Sequence, residues 1–240
     1  MKKKLILGIL LGLCFLAVAQ ADQGKSAEQP VQLALWAPTQ TVPAEESITG
    51  ARLGLFYTVN KDVTGFSLTL LGVDKTTGDF KGLELALVNW VNGLFHGAQI
   101  GAVNRVATRF VGYQGGLVNV SEGDFTGLED GIVNWNEGFM HGWQSGWVNF
   151  TRDRFVGLQS GLVNIDNGDF SGVQLGVVNY TEGAYTGFQG GIFNYANQMK
   201  GFQLGLVNVT KSLNGLQIGL GNYNGNKKPF EFLPIVNWSF

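Results

Sequence analysis

Few residues in this 240-residue sequence have types and spacings that could do chemistry. His96 and His141 are its two histidines, and a pair of imidazoles could begin a metal site. No thiol joins them, because the sole cysteine is Cys14, and their places on separate strands put them more than ~10 Å apart. They read as interface histidines, and no metal is expected. Glu84 and Glu129 could serve as an acid and base pair. Each replaces a glutamine at the same place in a repeated pattern, so both read as ordinary lining residues. No Ser-His-Asp set stands out, and the glycines follow a strand pattern rather than a phosphate-cradling loop. The Asn-x-Ser/Thr triplets at Asn119, Asn149, Asn179, Asn208 and Asn237 follow from the repeat and are not evidence of glycosylation. No catalytic residue and no cofactor is expected, so the chain is not read as an enzyme.

The elements that carry these residues are copies of one unit. Phe155-Val156-Gly157-Leu158-Gln159-Ser160-Gly161-Leu162-Val163-Asn164-Ile165 is one copy. Its asparagine returns from Asn89 to Asn237 at a spacing of 15 seven times, then 14, 14 and 15. Gly82 through Gly215 keep the same beat, with Gly50 and Gly65 upstream. A fixed short period means one structural unit per repeat, stacked on or paired with its neighbours.

Each unit reads as a strand. Regular glycines would cost a helix about 1 kcal/mol each. Numbered from the aromatic as position 1, positions 4 and 8 are apolar, as in Leu158 and Leu162 or Trp143 and Trp147. Positions 3, 5 and 7 carry Gly, Gln and Gly. Alternation puts 4, 6 and 8 on a greasy face, interrupted by Asp130, Ser145 and Ser160, and 3, 5 and 7 on a small polar one. Turn-forming residues such as Asp166-Asn167-Gly168-Asp169 separate the copies.

Two architectures can use such a unit: an up-and-down antiparallel barrel, or a β-solenoid with a stacked asparagine ladder. Three features favour the barrel. The repeat is nearly palindromic about position 6, which suits an antiparallel neighbour. About 14 strands run from Val31 to Phe240, an even count, and the longest connections (Pro38–Ser47, Asp74–Asp79 and Asn224–Pro229) fall on one end of a meander. Ser121, Thr151, Thr181 and Thr210 recur on alternate connections, as hairpins would repeat. One feature favours the solenoid: the run from Arg109 to Phe125 matches that from Arg154 to Phe170, three units on. The expected fold is therefore all-β, an outer-membrane-type barrel of about 14 short strands, one per 15-residue repeat, with the solenoid as alternative.

The flanks suggest export. Lys2, Lys3 and Lys4 precede an apolar run from Leu5 to Val18, and Ala19-Gln20-Ala21 fits a cleavage site, so residues 1–21 read as a signal peptide. Residues 22–30 read as a disordered segment and 31–240 as one repeat-built domain. Without the three lysines, 13 basic residues face 18 acidic ones, a net charge of −5 that argues against a nucleic-acid partner.

The end, Phe232-Leu233-Pro234-Ile235-Val236-Asn237-Trp238-Ser239-Phe240, resembles the closing strand of bacterial outer-membrane barrels. That resemblance implies Trp238 and Phe240 as an assembly signal read by the barrel-assembly machinery. Pro234 departs from it. Across residues 48–237 the tandem Gly-x-Gln-x-Gly-x-Val-Asn units resemble a bacterial family of surface-repeat proteins, which implies exposure on the cell envelope and brings no catalytic residues.

The barrel reading makes outer-membrane lipid the partner of the greasy face, with end aromatics such as Phe155 and Tyr185, Trp135 and Tyr180, as girdles. Its waist would be lined by Gln99, Gln114, Gln144, Gln159, Gln174, Gln189, Gln203 and Gln217, with Arg52, Glu84 and Glu129 as charged members. The expected function is a structural or passive-pore protein of the bacterial outer membrane or cell surface. The alternative is a surface-exposed solenoid used for adhesion or envelope interaction. Whether the lumen is open or filled by aromatics stays open, as does the oligomeric state.

Overall fold

The computed structural model describes residues 28–240, so the expected signal peptide and residues 22–27 lie outside the described residues. Its elements in chain order are β1 (Gln29–Trp36), β2 (Thr39–Gln40), β3 (Ile48–Asn60), β4 (Val63–Thr76), β5 (Phe80–Val91), β6 (Phe95–Val106), β7 (Phe110–Ser121), β8 (Phe125–Asn136), β9 (Met140–Thr151), β10 (Phe155–Asp166), β11 (Phe170–Leu204), β12 (Val207–Asn224) and β13 (Phe232–Ser239). All belong to one sheet in the order β13-β12-β11 and so on down to β4-β3-β1-β2.

Neighbouring repeats pair in parallel and in register. Phe155 stands beside Phe170, Gly157 beside Gly172, Gln159 beside Gln174 and Asn164 beside Asn179. The same match joins β10 to β9, β9 to β8 and β6 to β7. A chain that lies parallel to itself one repeat later has closed a coil. The fold is a parallel β-solenoid, and the antiparallel barrel expected from the sequence is corrected. With it go the one-strand-per-repeat meander, the lumen and the pore. A palindromic unit fits a parallel copy of itself as well as an antiparallel one, so the symmetry decided nothing. The parallel copy has an advantage: it brings like amides and like rings together.

Twelve coils can be counted by their position-3 glycines, Gly50 to Gly215, every one at positive φ. Position 3 admits only glycine. Gly157 sits at φ +139°, and a Cβ there would lie 1.9 Å from the carbonyl oxygen of Gly142 in the coil before. This kink and a second corner let about twelve extended residues turn back on themselves. At the second corner both residues 8 and 9 face out, as Leu162 and Val163 do, which flips the alternation. Positions 1, 5, 10 and 12 are buried as a result: Phe155, Gln159, Asn164 and Asp166 in this coil. Strict alternation from position 1 would bury position 11; the corner buries 10 and 12 instead.

Each buried position makes a lane along the axis. Position 1 is an aromatic stack, Phe80, Phe95, Phe110 and Phe125, with ring centroids 4.5–5.1 Å apart and near-parallel planes. Met140 interrupts it, and Phe155, Phe170 and Tyr185 resume it. Position 12 holds the alternating hydroxyls, buried between Val106, Asn136, Asp166 and Ala196. Their two-coil rhythm is therefore an interior packing pattern and not a hairpin period.

The ends differ. β1 pairs parallel to β3 and also pairs with β2. β13 pairs antiparallel with β12, with a register shift between Gly219 and Asn222 near Pro234. It covers an end and does not close a barrel.

Candidate functional site

Two features stand out for function, the polar interior and the apolar exterior. The interior gathers every residue expected to line a lumen. Gln99, Gln114, Gln144, Gln159, Gln174, Gln189, Gln203 and Gln217 are side by side in the position-5 lane, with Arg52, Glu84 and Glu129, all sealed from solvent. Each glutamine Nε2 donates to the residue one coil before, as Gln159 does to Gln144 and Gln174 to Gln159, both at 2.8 Å. The asparagines form a second ladder with the opposite sense. Asn149 Nδ2 donates forward to Asn164 Oδ1 at 2.8 Å and to the carbonyl of Ser160, also at 2.8 Å. That second bond ties each coil's corner to the next. Side-chain amides can fill the interior because the neighbouring coil satisfies them.

The glutamine ladder has two acidic heads. Glu84 accepts from Gln99 at 2.8 Å and lies 3.6 Å from the Arg52 guanidinium. Arg52 also pairs with Asp74 and donates to Ser67 Oγ at 2.8 Å and Thr76 Oγ1 at 3.0 Å. Burial lowers the Arg52 pKa to about 10, with Glu84 opposing, so it keeps its charge at neutral pH. Glu129 heads the second run and accepts from Gln144 at 2.8 Å and Asn136 at 2.6 Å. Above it the ladder is broken: Gln114 Oε1 and Glu129 Oε1 are both buried without a partner. Burial, opposed by the Gln144 and Asn136 bonds, pushes the Glu129 carboxyl up to about 7. A proton there turns Oε1 into a donor and can complete the ladder.

Sequence reasoning missed Asp74 and Asp166. Asp74 stands where most coils have the ladder asparagine, beside Asn89 in the register. Asp166 accepts from Gln159 at 3.2 Å and Gln174 at 2.6 Å, and burial pushes it up to about 8. The available signal was Asp166's place in the lane of hydroxyls at the same beat.

None of these groups meets solvent, so the interior holds the fold and offers no entry to a solute. His96 and His141 lie at position 2, in strands three coils apart, and are not brought together. Among the described residues no group of three or more His, Cys, Asp or Glu side chains is placed to hold a metal. Of the expected girdles, Phe155 and Tyr185 are buried, while Trp135 and Phe150 stack outside at 4.0 Å and Tyr180 and Tyr195 at 4.8 Å. Trp238 and Phe240 are exposed on and just beyond β13, Phe240 almost fully.

The exterior is where another molecule can act. Positions 4, 6 and 8 project outward from every coil and stack into three lanes. They carry half-exposed Leu87, Ile100, Leu117, Leu128, Trp143, Leu162, Leu175, Ile192 and Leu206, with Trp147 at 61 % exposure. At one coil per 4.7–4.9 Å the face is roughly 55 Å long. A contiguous apolar surface of that extent exceeds what a monomer ordinarily leaves in water. Asp130 interrupts the position-6 lane, and other charges lie off these lanes: Arg105 with Glu122 at 2.6 Å, Arg152 with Glu137 at 2.8 Å, and Arg154 over the Phe139 ring.

No family model matches this chain, and neither a curated protein nor a solved structure matches it.

Proposed function

We propose that this chain is an exported, surface-exposed β-solenoid of the cell envelope that works by interaction rather than catalysis. The carrying observation is the apolar face, three stacked lanes of half-exposed side chains on a scaffold locked by amide ladders. Such a face is a surface for an apolar partner within the envelope or for adhesion. Two sequence features support the location: the charged-apolar-small start of residues 1–21 and the resemblance of the repeats to bacterial surface-repeat proteins. The test is fractionation of cells making the protein, with protease added to intact cells. The expected result is recovery in the envelope fraction and digestion from outside. A protein recovered in the cytoplasm and untouched by external protease would reject the reading.

A further inference from the structure

We propose that the occupant of the apolar face is a second copy of this chain, docked face to face and antiparallel about a twofold axis passing between the coils that begin at Phe125 and Met140. The inference rests on the interaction reading above and names its partner.

Area is the first argument. The large apolar side chains of the three lanes offer roughly 2,000 Å² per protomer, so a face-to-face pair removes on the order of 3,000–4,000 Å² from water, the range of obligate homodimers. Charge is the second. The face carries one carboxylate in its position-6 lane, exposed Asp130, with half-buried Ser145 beside it in the register. Lipid would leave that carboxylate unpaired amid apolar side chains.

Symmetry is the third argument. The coils of Gly127 and Gly142 are the sixth and seventh of twelve, so Asp130 and Ser145 straddle the centre of the face. A closed twofold interface must be self-complementary. With the solenoid axes parallel, each coil meets its own copy and Asp130 faces Asp130, a like-charge contact. With the axes antiparallel, the sixth coil meets the seventh. Asp130 then faces Ser145 of the second copy, and Ser145 faces its Asp130. At the ~10 Å separation of packed sheets a hydroxyl can donate to a carboxylate directly or through one water. Trp143 and Trp147 border these pairs at the centre, where binding energy concentrates. Elsewhere in that lane Ile100 falls opposite Leu175, and Ser160 opposite Gly115.

Sedimentation of the purified full chain across a dilution series is the experiment, with cross-linking to fix the geometry. A dimer persisting to nanomolar concentration is expected. Ser145→Asp sets carboxylates against each other and should raise the dissociation constant on the order of 100-fold. Adding Asp130→Ser to it exchanges the pair and should restore the dimer, which a merely unfolded variant cannot do. In a Cys14→Ser background, Ile100→Cys and Leu175→Cys together should cross-link two protomers, and neither alone should. Cross-linking by Ile100→Cys alone would overturn the antiparallel pairing. A monomer that binds phospholipid vesicles would overturn the dimer while leaving the envelope reading in place. A monomer that ignores vesicles would overturn the dimer and remove the support the apolar face gives that reading.

Discussion

Glu129 is the residue where the interior is least settled. Its unfolded pKa lies near 4.3, and burial raises the folded value to about 7. Asp166 moves the same way, to about 8. Between the unfolded and folded values the native state binds more protons than the unfolded one, so raising the pH lowers stability. The contribution of these carboxyls is fully present below about pH 4 and is lost as the pH rises through 7 to 8. Thermal denaturation should give a higher Tm at pH 5 than at pH 8. Glu129→Gln supplies the missing donor to Gln114 without a charge. It should raise stability at pH 8 by about 2 kcal/mol and change little at pH 5. A flat Tm from pH 5 to 8, or an equal gain at both, would rule this account out. The sequence placed Glu129 among its glutamines. It could not show that the lane is dry, and dryness is what moves the pKa.

At the scale of the coil, the kink at position 3 is the demanding feature. Gly157→Ala forces φ +139° on an alanine and drives its Cβ into the Gly142 carbonyl. A loss of about 3 kcal/mol or more is expected in denaturant melts, since both the backbone strain and the clash count against it. Leu158→Ala, on the outer face next door, should cost the isolated protomer less than about 1 kcal/mol. The unit itself was legible: its period, its strand character, its greasy 4-6-8 face and the shared lane of Gln159 and its counterparts. Pairing direction was not, because side chains alternate identically in both directions. The physical clue lay in the amides. An antiparallel neighbour brings position 10 opposite position 2, separating every asparagine from its like, whereas a parallel one stacks Asn149 on Asn164. The corner at Leu162 and Val163 was hidden for a related reason, since two outward residues in a row look like a continuation of an apolar strand.

The whole molecule is a stack whose members are nearly interchangeable. Deleting residues 155–169 joins Arg154 to Phe170 and leaves Gln144 below Gln174 and Asn149 below Asn179, every lane still in register. Such a protein should fold cooperatively, by circular dichroism and melting, with Tm lowered by roughly a few degrees. Deleting 155–162 puts lanes out of step and should abolish the transition. If both deletions behaved alike, register would not be what holds the stack. Interchangeable layers carry a hazard of their own. Each coil's edge is a template for another coil, so the last one is a growing end in the polymer chemist's sense. β13 quenches that end. It adds to β12 in the reverse direction, so the next layer cannot lay asparagine on asparagine. It also brings Pro234, which withholds a backbone donor. Tail reversal thus acts as a termination step, one that fixes the degree of polymerisation within a single chain and keeps a body with amyloid-like ladders finite.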